Sequence, residues 1–160
     1  MSKVGNSPSA VIRGMWDRLN PMLGGKQIFS ILFGRMVPYS GSVRPLVLEL
    51  APGKARVCMQ DRKAVRNHLN SVHAIALMNL AEMATGLAFA YAMPEGTRSI
   101  ITALSMSYLK KARGPLVAEC DFTLPDFSEK GEHAIEVLIR DREGDVVARA
   151  EANWLVGPKS

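Results

Sequence analysis

A single carboxylate, Glu82, lies in the middle of the longest apolar stretch of the sequence, Ala74 to Pro94. At helical spacing Asn79, Glu82 and Thr85 form a narrow polar stripe, and the positions three and four residues from Glu82 hold no basic partner. A carboxylate on a buried helix needs a distant hydrogen-bond donor, an opening into a cleft, or a functional role with a shifted pKa. Otherwise the stripe faces solvent. The residue types therefore predict either acid–base chemistry at Glu82 or a solvated helix face.

The elements that would position Glu82 follow from the spacing of apolar residues and from the turn residues. Residues 9–37 predict two helices that end before Pro21 and Pro38, because proline disfavours helical geometry in the residue before it. Two strands joined at Pro52 and Gly53 precede the apolar helix, and four strand-like segments separated by short turns follow it. The six predicted strands are PLVLEL, ARVCMQ, GTRSIITALSMSYLKK, GPLVAECDFTL, EHAIEVLIRD and DVVARAEANWLV.

An apolar helix must be covered on nearly every side. A curved antiparallel sheet of about six strands wrapped around one long helix achieves this, so we expect an α+β fold. The prediction is a single domain over residues 1–160, with a loose arm at 1–8, N-terminal helices at 9–37 and the sheet and helix core at 43–156. Since one sheet cannot cover the whole helix, we also expect a second copy of the chain, as a homodimer or a dimer of dimers.

The charge pattern favours an anionic small molecule over a nucleic acid. The chain has a net charge of +5, and eleven basic residues stand against three acidic ones up to Arg66. An anionic partner or a merely solvated basic face would each explain this excess. No run of five basic residues and no nucleic-acid motif occurs, so we expect no nucleic-acid partner.

Cysteine and histidine spacing and the start of the chain exclude further classes. Cys58 and Cys120 are far apart, and neither they nor the three histidines have the spacing of metal ligands, so we expect no metal site. The first residues lack the apolar region of a secretory signal, and Glu82 disfavours insertion of the apolar helix into a bilayer. These features predict a cytoplasmic protein with no membrane partner.

The segment RNHLNSVHAIALMNLAE resembles the site of hot-dog-fold acyl-CoA thioesterases of the phenylacetate-pathway type. In that family an Asn is followed six residues later by a His and two glycines, and nine residues after the His by an acidic residue. Asn67, His73 and Glu82 match these spacings and are candidate catalytic residues. The order of helices and strands from about Arg44 to Val156 also agrees. The resemblance therefore implies a hot-dog core, preceded by added helices.

The resemblance also implies roles in thioester hydrolysis. Glu82 would act as general base or as nucleophile. Ala74 and Ile75 stand in place of the paired glycines, and their N–H groups at the helix start would stabilise the oxyanion. Asn67 would orient the water or the thioester oxygen. On the strand after the helix, Thr102 is a candidate to assist the water.

Two basic clusters are candidates for binding the coenzyme A phosphates. The turn YLKKARG contains Lys110, Lys111 and Arg113, at a place that resembles the nucleotide contact of related thioesterases. Arg62 and Arg66 precede the Asn67 loop. Arginine binds phosphate as a fork and lysine as a point charge, although surface turns are commonly basic without a ligand. Coenzyme A would enter as part of the substrate, and no cofactor is expected.

Three functions are compatible with the resemblance. The leading hypothesis is hydrolysis of an acyl-CoA or related acyl thioester. The alternative is a non-catalytic protein that binds an acyl group or acyl-CoA on the same fold, because Ala74 and Ile75 could hinder the approach of a thioester to the backbone. A hydratase ranks third, since the sequence lacks the His-Phe-Pro type of motif found in acyl-carrier-protein dehydratases.

Overall fold

The computed structural model describes residues 7–159 as one long core helix, a six-stranded sheet and three N-terminal helices. The predicted loose arm falls mostly on residues 1–6, which lie outside the described part. Pro8 already begins the first helix, where Ser7 caps the start by accepting a hydrogen bond from the Ala10 amide. In chain order the elements are α1 (Pro8–Leu19), α2 (Gly25–Met36), α3 (Pro38–Gly41), β1 (Leu46–Ala51), β2 (Lys54–Met59), a 3₁₀ turn (Lys63–Val65), α4 (Ala74–Ala92), β3 (Thr97–Tyr108), β4 (Leu116–Asp121), β5 (Gly131–Arg140) and β6 (Val146–Pro158).

The sheet has the strand order β1-β2-β4-β5-β6-β3, and every neighbouring pair is antiparallel. The predicted α+β fold with N-terminal helices, a long helix and six antiparallel strands is confirmed. Alternating small residues on β6 line the helix side: Ala148, Ala150 and Ala152 are buried, with Trp154 beyond them. Their small side chains let α4 pack closely on the sheet.

Helix α4 is the core helix of this fold. Leu80, Ala81, Ala84 and Ala88 are fully buried, as expected of a helix that is apolar nearly all round. Among the described helices, α4 alone has the length and hydropathy of a membrane span, but most of it is buried inside the protein. Burial against the sheet explains its apolar character.

The two edges of the sheet differ. At the β1 edge, side chains of α2 bond the exposed backbone: the Val47 amide donates to Ser30 Oγ (2.9 Å) and Lys26 Nζ donates to the Leu48 carbonyl (2.6 Å). At the other edge β3 runs for 12 residues and carries exposed apolar side chains such as Ile100 and Tyr108. Helix α2 thus covers one edge, whereas no described helix covers the other.

Candidate active site

Glu82 lies two turns into α4, on the side of the helix that the sheet does not cover. Its side chain is partly buried, and burial raises its pKa above the ordinary value of a glutamate. Within residues 7–159 the carboxylate makes neither a hydrogen bond nor an ion pair. Gly86, one turn later, lies beside it: a Cβ built on Gly86 would lie 3.4 Å from the Trp154 ring and 3.7 Å from Glu82 Oε1, so the carboxylate is close to this indole. The group is therefore desolvated and unpartnered, as suits a general base.

The other members of the polar stripe do not face solvent. Thr85 is fully buried and accepts a hydrogen bond from Trp154 Nε1 (2.9 Å), while its hydroxyl donates to the Glu82 carbonyl (2.9 Å). Asn79 is also buried, and its amide donates to the Tyr39 carbonyl (3.2 Å). The alternative of a solvated helix face thus fails for two of the three residues. Of the three side chains, only that of Glu82 is partly exposed.

Asn67 organises the loop before α4. Its Oδ1 accepts hydrogen bonds from the Leu69 amide (2.9 Å) and from the Ser71 amide and hydroxyl (3.2 Å each). These bonds fix the side chain in one orientation and leave its Nδ2 group as the free donor. Asn70 has a φ of +52°, in the left-handed region where Asn is tolerated better than most residues. The loop thereby presents an amide donor near the start of α4.

His73 caps the N-terminus of α4. Its Nδ1 accepts a hydrogen bond from the Ile75 amide (3.1 Å), so this nitrogen carries no proton, and its carbonyl accepts from the Leu77 amide. The first N–H groups of a helix have no intrahelical partner. Of the two predicted oxyanion donors, the Ile75 N–H is therefore occupied by His73. The Ala74 N–H makes no hydrogen bond with the described residues and remains available.

A cleft of about 380 Å³ brings several predicted residues together at this helix start. Asn67, Ala74 and Lys111 line it, together with Leu77 and Tyr108. The Tyr108 hydroxyl donates to the Ala74 carbonyl (3.4 Å). Tyr108 was not predicted from the sequence, although its position next to the basic turn gave a signal. His73 lies instead in a smaller neighbouring cleft beside Arg66.

Glu82 is not part of this cleft. It lies eight positions after Ala74, and a helix rises 1.5 Å per residue, so the two lie about 12 Å apart along α4. A glutamate side chain and one water molecule do not span that distance to a carbonyl held by the Ala74 amide. Within one chain, the predicted base Glu82 and the predicted oxyanion donor Ala74 are therefore too far apart to act on the same thioester.

The predicted phosphate-binding residues differ in their availability. Lys110 donates to Asp141 (2.8 Å) and Asp145 (2.7 Å), and these bonds raise the pKa of Lys110. Arg66 pairs with Asp61 (2.6 Å), which holds the pKa of that carboxyl below its usual range. Lys111 is exposed and forms no ion pair with residues 7–159.

Two other basic residues bond the backbone. The Arg62 guanidinium donates to the Ser42 carbonyl, and the Arg113 guanidinium donates to the Asn70 carbonyl (3.2 Å). Arg113 is exposed beside the cleft and ties its rim to the Asn67 loop. Of the two predicted clusters, the one around Lys111 contributes side chains to the cleft that Asn67 lines, whereas Arg62 and Arg66 do not line it.

The structure places Thr102 on the outer face of the sheet. Its hydroxyl bonds the Glu132 carboxylate and the Asn153 carbonyl (3.2 Å). Glu132 pairs with Leu155 in the sheet register, and Leu155 points away from α4 because the adjacent Trp154 points toward it. Within one chain Thr102 is therefore not brought to Glu82. Among residues 7–159, no group of three His, Cys, Asp or Glu side chains is arranged to hold a metal ion.

A sequence profile described as a domain of unknown function, DUF4442, matches residues 25–156. The chain belongs to the DUF4442 family. No curated protein matches this DUF4442 sequence. The similarity spans α2 to β6, and so includes the Asn67 loop, Glu82 and the basic turn.

Solved structures similar to this DUF4442 chain include hot-dog proteins. A genomics target is 32% identical with a TM-score of 0.82, over 93% of this chain and 99% of its own. A Pseudomonas aeruginosa protein described as a probable thioesterase of unknown function is 21% identical with a TM-score of 0.75, over 81% and 93% of the two chains. A mutant of the phenylacetic acid degradation protein PaaI from Thermus thermophilus is 21% identical with a TM-score of 0.63, over 74% and 97%. These similarities confirm the predicted hot-dog fold.

Proposed function

We propose that this DUF4442 protein hydrolyses acyl-CoA or related acyl thioesters in the cytoplasm, with Glu82 as its essential carboxylate. The observation that carries the proposal is that Glu82 is partly buried, has a raised pKa and lacks a partner among the described residues, on the uncovered side of α4. A structural carboxylate would be paired or fully solvated. Several proteins of the same fold are described as thioesterases, which supports this class of reaction.

The proposed reaction uses water as the attacking group. Glu82 takes a proton from a water molecule, and the hydroxide adds to the thioester carbonyl carbon. The oxyanion that forms is stabilised by the Ala74 N–H and by the positive end of the α4 dipole. When the carbon–sulfur bond breaks, the thiolate leaves and takes the proton back from Glu82. The products are a carboxylic acid and a free thiol. Direct attack by Glu82, through an anhydride that water then hydrolyses, gives the same products.

The 12 Å separation within one chain leads us to propose that each site lies between two chains. In a two-fold dimer whose antiparallel α4 helices cross at Met78, residue 74 of one helix would lie nearest residue 82 of the other. The uncovered edge of β3 and the exposed side chains of Ile75 and Tyr108, at the Ala74 end of α4, supply an apolar contact surface. Asn67 and Ala74 of one protomer would then serve the Glu82 of its partner.

For the coenzyme A phosphates we propose Lys111 and Arg113 as the main contacts. Lys111 lines the Asn67 cleft, as Lys110 does, and Arg113 donates to the Asn70 carbonyl in the adjacent loop. Lys111 and Arg113 are both exposed, and neither is in an ion pair with the described residues. Lys110 is held by two aspartates and contributes less. Of the two basic clusters predicted from the sequence, this proposal retains the one in the turn after β3. Within it, we expect Lys111 and Arg113 to contribute more to phosphate binding than Lys110.

Two measurements test the proposal. Hydrolysis of a panel of acyl-CoA esters should be at least about a hundredfold slower for Glu82→Gln than for the wild type, with Glu95→Gln, at an exposed acid after α4, as the control. Unchanged turnover in Glu82→Gln removes this residue from the mechanism.

The second measurement mixes chains carrying Glu82→Gln with chains carrying Asn67→Ala. If each site takes these residues from two chains, random mixing restores about a quarter of the sites, because every mixed dimer has one intact site. If both residues act within one chain, no activity returns. Recovery therefore distinguishes a shared site from two separate sites.

One observation favours a second candidate function, binding of an acyl thioester without turnover. The Ile75 N–H is occupied by His73, which leaves a single amide donor, and the Ile75 side chain is 52% exposed at the position where thioesterases of the phenylacetate-pathway type have a glycine. A non-catalytic binder would retain acyl-CoA in isothermal titration calorimetry while releasing no free thiol. Binding would then be equal in wild type and Glu82→Gln.

A further inference from the structure

A third cleft lies at the β1 edge of the sheet, opposite the β3 edge. It is bounded by α2, α3 and the start of β1, and it has a volume of about 520 Å³. This size is typical of small-molecule sites. Because β1 and β3 are opposite edges of the sheet, the subunit contact proposed above leaves this cleft open. Neither Glu82 nor the Asn67 loop lines it.

The walls of this cleft are mainly apolar. Ile31 on α2 is 56% exposed into it, and Pro45 and Leu46 form the opposite side at the start of β1. The backbones of Gly34 and Gly41 meet at its base, where a Cβ on Gly41 would lie only 2.3 Å from the Gly34 carbonyl oxygen. Because Gly34 and Gly41 have no side chains, the cleft stays open where α2 and α3 approach each other.

Two arginines, Arg35 and Arg44, are the charged groups of the lining, and the lining contains no acidic residue. Neither arginine forms an ion pair with any residue in the range 7–159. Two guanidinium groups facing one apolar space repel each other, and an anion between them removes this repulsion. The charge of the cleft therefore complements a negatively charged ligand.

The backbone at Arg44 gives an independent indication. Arg44 has a φ of +50°, in the left-handed region that glycine and asparagine adopt most readily, and its amide donates to the Gly41 carbonyl (2.9 Å). A large side chain at such a position is uncommon, and outliers of this kind cluster at ligand sites. The arginine is thus found where the local backbone geometry would favour a smaller residue.

We propose that this cleft binds an aliphatic carboxylic acid, with its carboxylate between Arg35 and Arg44 and its chain against Ile31 and Leu46. Planar guanidinium groups match a carboxylate by paired hydrogen bonds. A nucleotide headgroup would require further donors and acceptors. Ser30 is already bonded to the Val47 amide and the Lys26 carbonyl, which leaves Gln27 as the remaining polar side chain of the lining. The proposal stands independently of thioesterase activity.

The test is calorimetric titration of the full chain with dodecanoate below its micelle concentration, and with dodecan-1-ol as the uncharged probe of equal length. Arg44→Asn removes the guanidinium while suiting the left-handed backbone, and Arg35→Gln removes the second charge on an exposed helix turn. Each should weaken dodecanoate binding by at least about tenfold. Arg142→Gln, at an exposed residue in the turn between β5 and β6, serves as the matched loss of positive charge.

Glu82→Gln separates this cleft from the proposed active site. Saturable binding of one dodecanoate per chain, lost in the Arg35 and Arg44 variants and retained in Glu82→Gln and Arg142→Gln, supports the proposal. Equal affinity for dodecan-1-ol, retention of dodecanoate by both arginine variants, or the absence of saturable binding overturns it. Circular dichroism of each variant establishes that a loss of binding does not come from unfolding.

Discussion

Replacing Glu82 with Gln should make the protein more stable at neutral pH. Burial raises the pKa of this carboxyl, and among the described residues no donor or cation compensates for the lost hydration of the charged form. An unpaired polar group in a protein interior costs about 1–3 kcal/mol, and a charged group costs more than a neutral one. Glutamine keeps a polar group at this place but removes the charge, and because Glu82 is only partly buried we expect a gain of about 1 kcal/mol. For a protein of this size, that raises the Tm by about 3 °C.

The pH dependence of this gain follows from the direction of the shift. Since the folded protein binds the Glu82 proton more tightly than the unfolded chain does, the destabilisation is fully present above the raised folded pKa. It decreases as the pH falls through that value and disappears below the ordinary glutamate pKa, where both states are protonated. Glutamine carries no charge at any pH. The difference in Tm between variant and wild type should therefore be largest near neutral pH and close to zero at the acidic end.

Thermal denaturation by circular dichroism at a series of pH values, at one fixed protein concentration, measures this difference. Glu95→Gln is the matched control, because Glu95 is exposed and its substitution should change stability by less than about 0.5 kcal/mol. A lower Tm of Glu82→Gln at neutral pH would mean that the carboxylate has a favourable charged partner. A difference independent of pH would also refute the argument from desolvation.

Three further predictions concern the packing of α4, the N-terminal helices and the basic turn. Thr85→Val leaves the indole N–H of Trp154 buried without an acceptor and should lower the free energy of unfolding by about 1–3 kcal/mol, measured by urea denaturation. Gly41→Ala should lower it by a similar amount, roughly 1–3 kcal/mol, because the new Cβ would overlap the Gly34 carbonyl and push α3 from α2. Lys111→Gln should raise the KM for acyl-CoA several-fold with kcat nearly unchanged, in steady-state kinetics.

Each of these has an outcome that contradicts it. If Thr85→Val is as stable as the wild type, the indole N–H of Trp154 finds another acceptor. If Gly41→Ala is as stable as the wild type, α2 and α3 separate easily. For the basic turn, Lys110→Gln is the comparison. If it raises the KM more than Lys111→Gln does, the pairing of Lys110 with Asp141 and Asp145 does not limit its contact with substrate.

Local patterns were sufficient to predict the main elements of the fold. The helix that contains Glu82 is apolar nearly all round, and the β6 segment alternates small and polar residues, so each pattern has one structural solution. The hairpin at Gly53 follows from its turn chemistry, and φ is +72° there. The spacing of Asn67, His73 and Glu82 likewise identified residues at the start and the middle of α4.

Contacts between distant parts of the chain could not be predicted from these patterns. Lys110 is paired with aspartates more than thirty residues later, so its availability depends on the turn between β5 and β6. The face of Thr102 was ambiguous because Ile100 and Ile101 are adjacent and either could point inward. The structure turns Ile101 inward and leaves Ile100 59% exposed, and a bulge between Ile101 and Ala103 shifts the pairing with β6.

The place of β3 in the sheet has a consequence for how the protein is made. β3 comes third among the strands in the chain but pairs with β6, the last one, at the opposite end from β1. During synthesis β3 emerges long before its neighbour and cannot join the sheet until the final residues of β6 have left the ribosome. Until then the twelve-residue strand has no native pairing on either side and is exposed to wrong contacts with other nascent chains. Synthesis of β6, and not the appearance of α4, is therefore the step that gives β3 its place at the edge of the sheet.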